Sequence, residues 1–121
     1  MARILFVDDD PLTLVTLKKS VEIFGHEAIL ASSGEEAQTL AANQKPDLIM
    51  TDMRLPDIDG LTLVREFKED PDSSTIPVIV LSASPEVEAT ELAIASGAEE
   101  FIPKPVRLQT LEEVIQRYIG E

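Results

Sequence analysis

Asp47-Leu48-Ile49-Met50-Thr51-Asp52-Met53-Arg54-Leu55-Pro56-Asp57-Ile58-Asp59-Gly60 is the stretch on which the reading of the fold turns. Its apolar run, Leu48-Ile49-Met50, is short and bounded, as a buried strand is. The run delivers one carboxylate, Asp52, to its end. Pro56 and Gly60 then mark a turn-rich segment, and a helical pattern starts near Asp59. A carboxylate where a buried strand meets a loop is a poor core residue. Open α/β sheets place their chemistry at such points.

Outward from that stretch, the chain alternates strand and helix signals. Arg3-Ile4-Leu5-Phe6-Val7 reads as a strand and ends in Asp8-Asp9-Asp10. Asp10-Pro11 is an N-cap followed by proline at the first helical position, and Leu14, Leu17, Val21 and Phe24 continue at helical spacing to Gly25. Ala28–Ala31 is a second short strand, and Ser33-Gly34-Glu35-Glu36 opens a helix as a capping box. Beyond Asp59, Leu61, Leu63, Val64 and Phe67 mark a third helix that Asp70-Pro71 ends. Pro77-Val78-Ile79-Val80-Leu81 is a fourth strand, finishing at Ser82. Ser84-Pro85 repeats the N-cap and proline signal for a helix running to Gly97. Phe101-Ile102-Pro103 is a short last strand whose prolines suit an edge, ending at Lys104-Pro105. Leu108, Leu111, Ile115 and Ile119 make the closing helix. Strands alternating with helices across short loops predict a parallel sheet covered on both faces.

The bulk numbers bound the function. One domain is expected for 121 residues, spanning 1–121, with a core of ordinary size. There is no cysteine, so neither a disulfide framework nor a thiolate metal site is available. No apolar run approaches the roughly 20 residues of a membrane span, and a cytoplasmic protein is expected. The net charge of −13 repels nucleic acid and anionic membranes. The single histidine, His26, follows Gly25 in a turn and reads as a surface residue.

Asp8, Asp9, Asp52, Ser82 and Lys104 all fall at carboxyl ends of strands, which share one edge of such a sheet. Singly, each is an ordinary cap, turn former or solvated charge. Together they predict a site. Three carboxylates in one place repel unless a cation joins them. Oxygen-only ligands on loops suit Mg²⁺. With a lysine and a serine hydroxyl, such a site handles phosphoryl groups, and Asp52 is placed to be the nucleophile. Neither a P-loop nor a dinucleotide fingerprint is present, which disfavours a nucleotide.

These residues resemble the response-regulator receiver domain, the CheY-like family, over the whole chain. The matching features are Val7-Asp8-Asp9, Asp52 after its apolar run, Leu55-Pro56 with Gly60, Ser82-Ala83, and Lys104-Pro105 after Phe101. The resemblance implies a doubly wound, flavodoxin-like α/β fold with five parallel strands in order 2-1-3-4-5 and five helices. It implies a protein that is not a conventional enzyme but assists its own phosphorylation and dephosphorylation. The phosphoryl group would come from a phosphohistidine on a sensor histidine kinase or a histidine phosphotransfer protein. Asp9, Asp52 and the backbone carbonyl of Met53 would bind Mg²⁺, with Asp8 acting through water. Ser82 and Lys104 would contact the phosphoryl group, Phe101 would be the aromatic switch, and Lys104–Pro105 would be a cis peptide. The fourth helix, last strand and last helix would be read by a downstream protein, or would face an output domain beyond this chain. With Glu86, Glu88 and Glu91 and no base on the fourth helix, a monomer is expected. Arg54 and Ser84 depart from the family's commonest choices beside the phosphoryl site and bear on its lifetime.

Two rivals remain from the residues alone. A haloacid-dehalogenase-like phosphatase shares the aspartate nucleophile, Mg²⁺ and lysine, but needs an acid two residues after the nucleophile, where Arg54 stands. A receiver-shaped interaction module that is never phosphorylated would leave the filled site positions without a use.

Overall fold

The computed structural model describes residues 2–83 and 87–120, with 87–90 as backbone only. The expected N-cap at Ser84 and the fourth-helix acids Glu86 and Glu88 lie outside the described side chains. Five strands alternate with five helices: β1 (Arg3–Val7), α1 (Pro11–Ile23), β2 (Glu27–Ala31), α2 (Gly34–Gln44), β3 (Leu48–Asp52), α3 (Gly60–Glu69), β4 (Val78–Ser82), α4 (Val87–Ala95), β5 (Glu100–Pro103) and α5 (Leu108–Ile119). The strands form one parallel sheet in the expected order, β2-β1-β3-β4-β5.

Strand side chains alternate between faces, and each face finds its own helices. Leu5, Val7, Ile49, Val78 and Val80 pack with Ala37 and Ala41 of α2, Leu61, Val64 and Phe67 of α3, and Ala93 of α4. Ile4, Phe6, Leu48, Met50, Ile79 and Leu81 pack with Leu14, Leu17 and Val21 of α1 and Leu111, Val114 and Ile115 of α5. With both faces covered, β4 is buried throughout, which is why its sequence is an unbroken apolar run. The last helix differs from its expected phase. Leu108 is exposed, and Val114 takes a core position instead.

The helix starts follow the sequence signals. Asp10 accepts from the N–H of Leu12 at 3.0 Å with Pro11 behind it, and Asp59 accepts from Leu61 at 3.3 Å. At α2, Ser33 accepts from Glu36 at 3.1 Å, but the Glu36 carboxylate reaches one residue further back than a capping box requires, to the N–H of Ser32 at 2.7 Å. Among the described residues, no helix is long and apolar enough to cross a membrane.

The acids at the amino edge of the sheet serve the fold. Asp47 accepts from the N–H of Arg3 at 2.9 Å, across the start of β1 and β3. Glu99 accepts from Val78 N–H and from Lys68 Nζ, each at 2.5 Å, and Lys68 also donates to the Ile76 carbonyl at 2.8 Å. His26 is half-buried rather than a surface residue, because its Nδ1 accepts from the Ala2 N–H at 3.0 Å and ties down the entry to β1. Each of these side chains has a backbone partner, so the polar groups at this edge are explained by structure alone.

Candidate functional site

The carboxyl edge is different. Parallel register aligns Val7 with Thr51, Asp52 with Leu81, and Ser82 with Pro103. The residues that follow or end these strands therefore arrive at one level. Asp8, Asp9 and Asp52 each place a carboxylate oxygen within 4.8 Å of the others. Lys104 enters from beyond β5, its backbone N–H bonded to the Ser82 carbonyl at 2.7 Å. Its Nζ lies 2.5 Å from Asp8 Oδ2 and 3.4 Å from Asp52 Oδ2. The Lys104–Pro105 peptide is cis, as the resemblance implies.

The three acids are not equivalent. Asp8 is buried, with 2% of its surface exposed, and both its oxygens are engaged, one by Lys104 and the other by the Asp10 N–H at 2.9 Å. Asp9 is exposed. Asp52 lies between, half-buried at the end of the central strand. Burial pushes its carboxyl pKa above the usual aspartate value, and the neighbouring Asp8 adds to this, while Lys104 pulls the other way without cancelling them. For Lys104, burial works against the charge, but the Asp8 hydrogen bond and the charges of Asp52 and Asp8 outweigh it and raise its pKa. Ser82 is buried at the end of β4. Phe101, register partner of Val80, is half-buried against the α3 and α4 side of the core.

The donor set fits a hard divalent cation. It is all oxygen, it has spare negative charge, and it combines one exposed with one half-buried carboxylate. The sheet thus gathers Asp8, Asp9, Asp52 and Lys104, brings Ser82 alongside through its backbone, and leaves Arg54 exposed at the rim.

The loop after Asp52 is closed at its base. The Gly60 N–H donates to the Met53 carbonyl at 2.8 Å, and Arg54 and Asp59 form an antiparallel bridge. A Cβ on Gly60 would sit 2.2 Å from the Asp52 carbonyl oxygen, so only glycine lets the chain return this close.

The sequence reading missed two features. Asp57 accepts from the N–H groups of Gly34 and Glu35, a contact 22 to 23 residues away that no local pattern announces. Leu12 is 74% exposed at the start of α1, beside an apolar groove of about 450 Å³ that it lines with Thr13, Pro105 and Val106, reaching Lys104. A leucine off the Leu14/Leu17/Val21 stripe was the available signal.

A model of the response regulator receiver domain matches residues 4–116, and the chain belongs to that family, the receivers of two-component signalling. Protein PilH of Pseudomonas aeruginosa is 33% identical over 120 residues, 99% of each chain. The response regulator MprA of a Mycobacterium strain is 36% identical over 109 residues, 90% of this chain and 46% of that protein, so the chain spans about half its length. The crystal structure of the receiver domain of sensor histidine kinase PA1611 from P. aeruginosa superposes with a TM-score of 0.90 at 28% identity, covering 99% of this chain and 98% of that one. That receiver has a magnesium ion coordinated in its active-site cleft.

The raised pKa of Asp52 has a stability consequence. A folded-state pKa above 3.8 means the charged form is disfavoured in the native protein, so this residue destabilises the fold at neutral pH. The penalty fades as pH falls through the raised value towards 3.8. Without divalent ions at pH 7, Asp52→Asn should therefore melt above wild type, and the gap should close on acidification. Thermal melts across that pH range check this, and a variant less stable at pH 7 contradicts it.

Proposed function

We propose that this receiver takes a phosphoryl group onto Asp52 from a phosphohistidine of a sensor histidine kinase or histidine phosphotransfer protein, with Mg²⁺ bound, and switches conformation in response. The observation that carries it is the meeting of Asp8, Asp9 and Asp52 within 4.8 Å, with the Lys104 ammonium against Asp8 and Asp52. Asp9 and Asp52 would hold the ion directly. Asp8, with both oxygens engaged, suits a role through water. A loop carbonyl would join them. That of Met53 already accepts from Gly60, whereas that of Arg54 accepts no hydrogen bond among the described residues and is the better donor. When bound, Mg²⁺ supplies neutralisation of the phosphoryl oxygens.

An Asp52 carboxylate oxygen attacks phosphorus, the bond from phosphorus to the imidazole nitrogen breaks, and its electron pair stays on that nitrogen. Lys104 would pair with a phosphoryl oxygen and Ser82 would donate to another. Movement of Ser82 towards that oxygen would open space for Phe101 to turn inward. The product is the protein's own acyl phosphate, so the chain assists its own phosphorylation and dephosphorylation rather than turning over a substrate. Such donors are charged in the cytoplasm, where we place it.

The apolar groove between α1 and the loop after β5 reaches Lys104 and is the entry we assign to the donor protein. A net charge of −13 disfavours direct nucleic-acid contact.

Incubation with acetyl phosphate and Mg²⁺ should add one phosphoryl group by mass spectrometry, and Asp52→Asn should remain unlabelled. Undiminished labelling of that variant would overturn the assignment. Leu12→Asp, which adds an acid where the α1 N-terminus tolerates one, should slow transfer from a phosphohistidine donor by about tenfold, the effect of roughly 1.4 kcal/mol of lost contact. Labelling by acetyl phosphate should not change; equal slowing of both reactions excludes a docking role. Arg54 has only donors and no acceptor for a proton from attacking water, so it should prolong the acyl phosphate. Arg54→Asn should lose label faster with Mg²⁺ present, and an unchanged decay curve removes Arg54 from the account.

A further inference from the structure

The loop that leaves Asp52 is tied at its tip as well as at its base. Its base is closed by the Gly60–Met53 bond and the Arg54–Asp59 bridge. Its tip, Asp57-Ile58, lies on the N-terminus of α2. One Asp57 oxygen accepts from the Gly34 N–H at 2.8 Å and the other from the Glu35 N–H at 2.9 Å. Ile58 covers Gly34 so closely that a Cβ there would come within 2.1 Å of its Cγ2.

The start of α2 is thereby completed by two sources. Ser33 takes the Glu36 N–H with its side chain and the Ala37 N–H with its carbonyl, leaving Gly34 and Glu35 to Asp57. The N–H groups of Gly34, Glu35 and Glu36, which have no partner within the helix, are all taken. A carboxylate facing a helix N-terminus is favoured by the helix dipole. Consistently, the bonds from Gly34 and Glu35 hold the Asp57 carboxyl below the usual aspartate range. Asp57 itself is exposed, touches no part of the acid cluster, and accounts for nothing in the chemistry above.

We propose that Asp57 is a positioning residue: by pinning the loop tip to α2 it fixes the Met53–Arg54 backbone that adjoins Asp52, and so preorganises the metal-binding edge of the site. A loop closed only at its base can rock about that base, and backbone carbonyls near the base move with it. A second attachment, bidentate and opposed by the Ile58 contact, removes that freedom. The proposal rests on the phosphoacceptor function proposed above.

The bland alternative is a helix cap that contributes stability alone. Three variants separate the two. Asp57→Ala removes the tether. Ser33→Ala removes a cap bond from the same helix end without touching the loop, and Glu35→Gln removes one negative charge from the same place. Mg²⁺ affinity is measured by titration calorimetry for each and for wild type, and amide exchange is followed across residues 53–60 in metal-free protein. Asp57→Ala should weaken Mg²⁺ binding on the order of tenfold, the lower end of what groups orienting metal ligands contribute. Its loop amides should exchange faster. Ser33→Ala should lose comparable thermal stability with Mg²⁺ affinity and loop exchange near wild type, and Glu35→Gln should change affinity little. If Asp57→Ala matches Ser33→Ala or Glu35→Gln in Mg²⁺ affinity, Asp57 is a cap or a surface charge and the proposal is overturned. Wild-type protein that binds no Mg²⁺ overturns the phosphoacceptor function and this proposal with it, whereas wild-type binding with unaltered Asp57→Ala overturns this proposal alone.

Discussion

Asp8 keeps only 2% of its surface exposed, and the Lys104 ammonium 2.5 Å away is what makes that position tolerable. A buried charge without a partner costs several kcal/mol. The partner comes from 96 residues along the chain, from the far edge of the sheet. In the order β2-β1-β3-β4-β5, β3 and β4 lie between β1 and β5. Strands spaced by about 4.8 Å put those two roughly 14 Å apart. A lysine spans that only if its backbone leans in over the sheet, and the Lys104 bond to the Ser82 carbonyl holds it there. The pair therefore depends on β1, β3, β4 and β5 being in place and in register. It also leaves one ammonium shared between two acids, since Asp52 is 3.4 Å away.

The two edges of the sheet show how an acid's surroundings separate a structural role from a chemical one. At the amino edge, Asp47 and Glu99 accept backbone N–H groups, and Lys68 is engaged by Glu99 and a carbonyl. At the carboxyl edge, three acids gather, two of them share one ammonium, and the central one is held in a state that disfavours its own charge. Natural folds accept such local conflict where function requires it. The loop beyond Asp52 is the reverse case, with Gly60 closing its base and Asp57 and Ile58 seating its tip.

Most of the fold was legible because buried strands and amphipathic helices leave different local patterns. A short unbroken apolar run and an apolar stripe near 3.6 separate β4 from α3 without reference to anything distant. The strand ends located Asp8, Asp9, Asp52 and Lys104 for the same reason. What failed was set by tertiary contact. Leu108 continues the α5 stripe on paper, yet as the first residue of the helix it stands exposed, and Val114 packs instead. His26 looked like a turn residue because its partner, the Ala2 N–H, is 24 positions away. Pro56-Asp57 has the chemistry of a local turn, and nothing in its neighbours reveals that its oxygens belong to another helix. Glu36 shows a finer limit, since its pattern names the donor's neighbourhood but the structure chooses Ser32.

Charge balance connects the resting site to its response. Three carboxylates against one ammonium leave two negative charges, which a divalent cation cancels. On the function proposed, converting Asp52 to an acyl phosphate adds roughly one further negative charge, and among the described residues no second lysine or arginine is paired with the cluster to meet it. The new oxygens must then draw on donors already present. Lys104 is one, and it has Asp8 to trade. Ser82 is the other. Their backbones are bonded at 2.7 Å, so a shift of either is felt by the other. Phe101 stands on β5, three residues before Lys104, paired with Val80 two residues before Ser82. On that function, a demand for charge at the end of β3 would reach β4 and β5 through the Lys104–Ser82 backbone bond and the strands it joins.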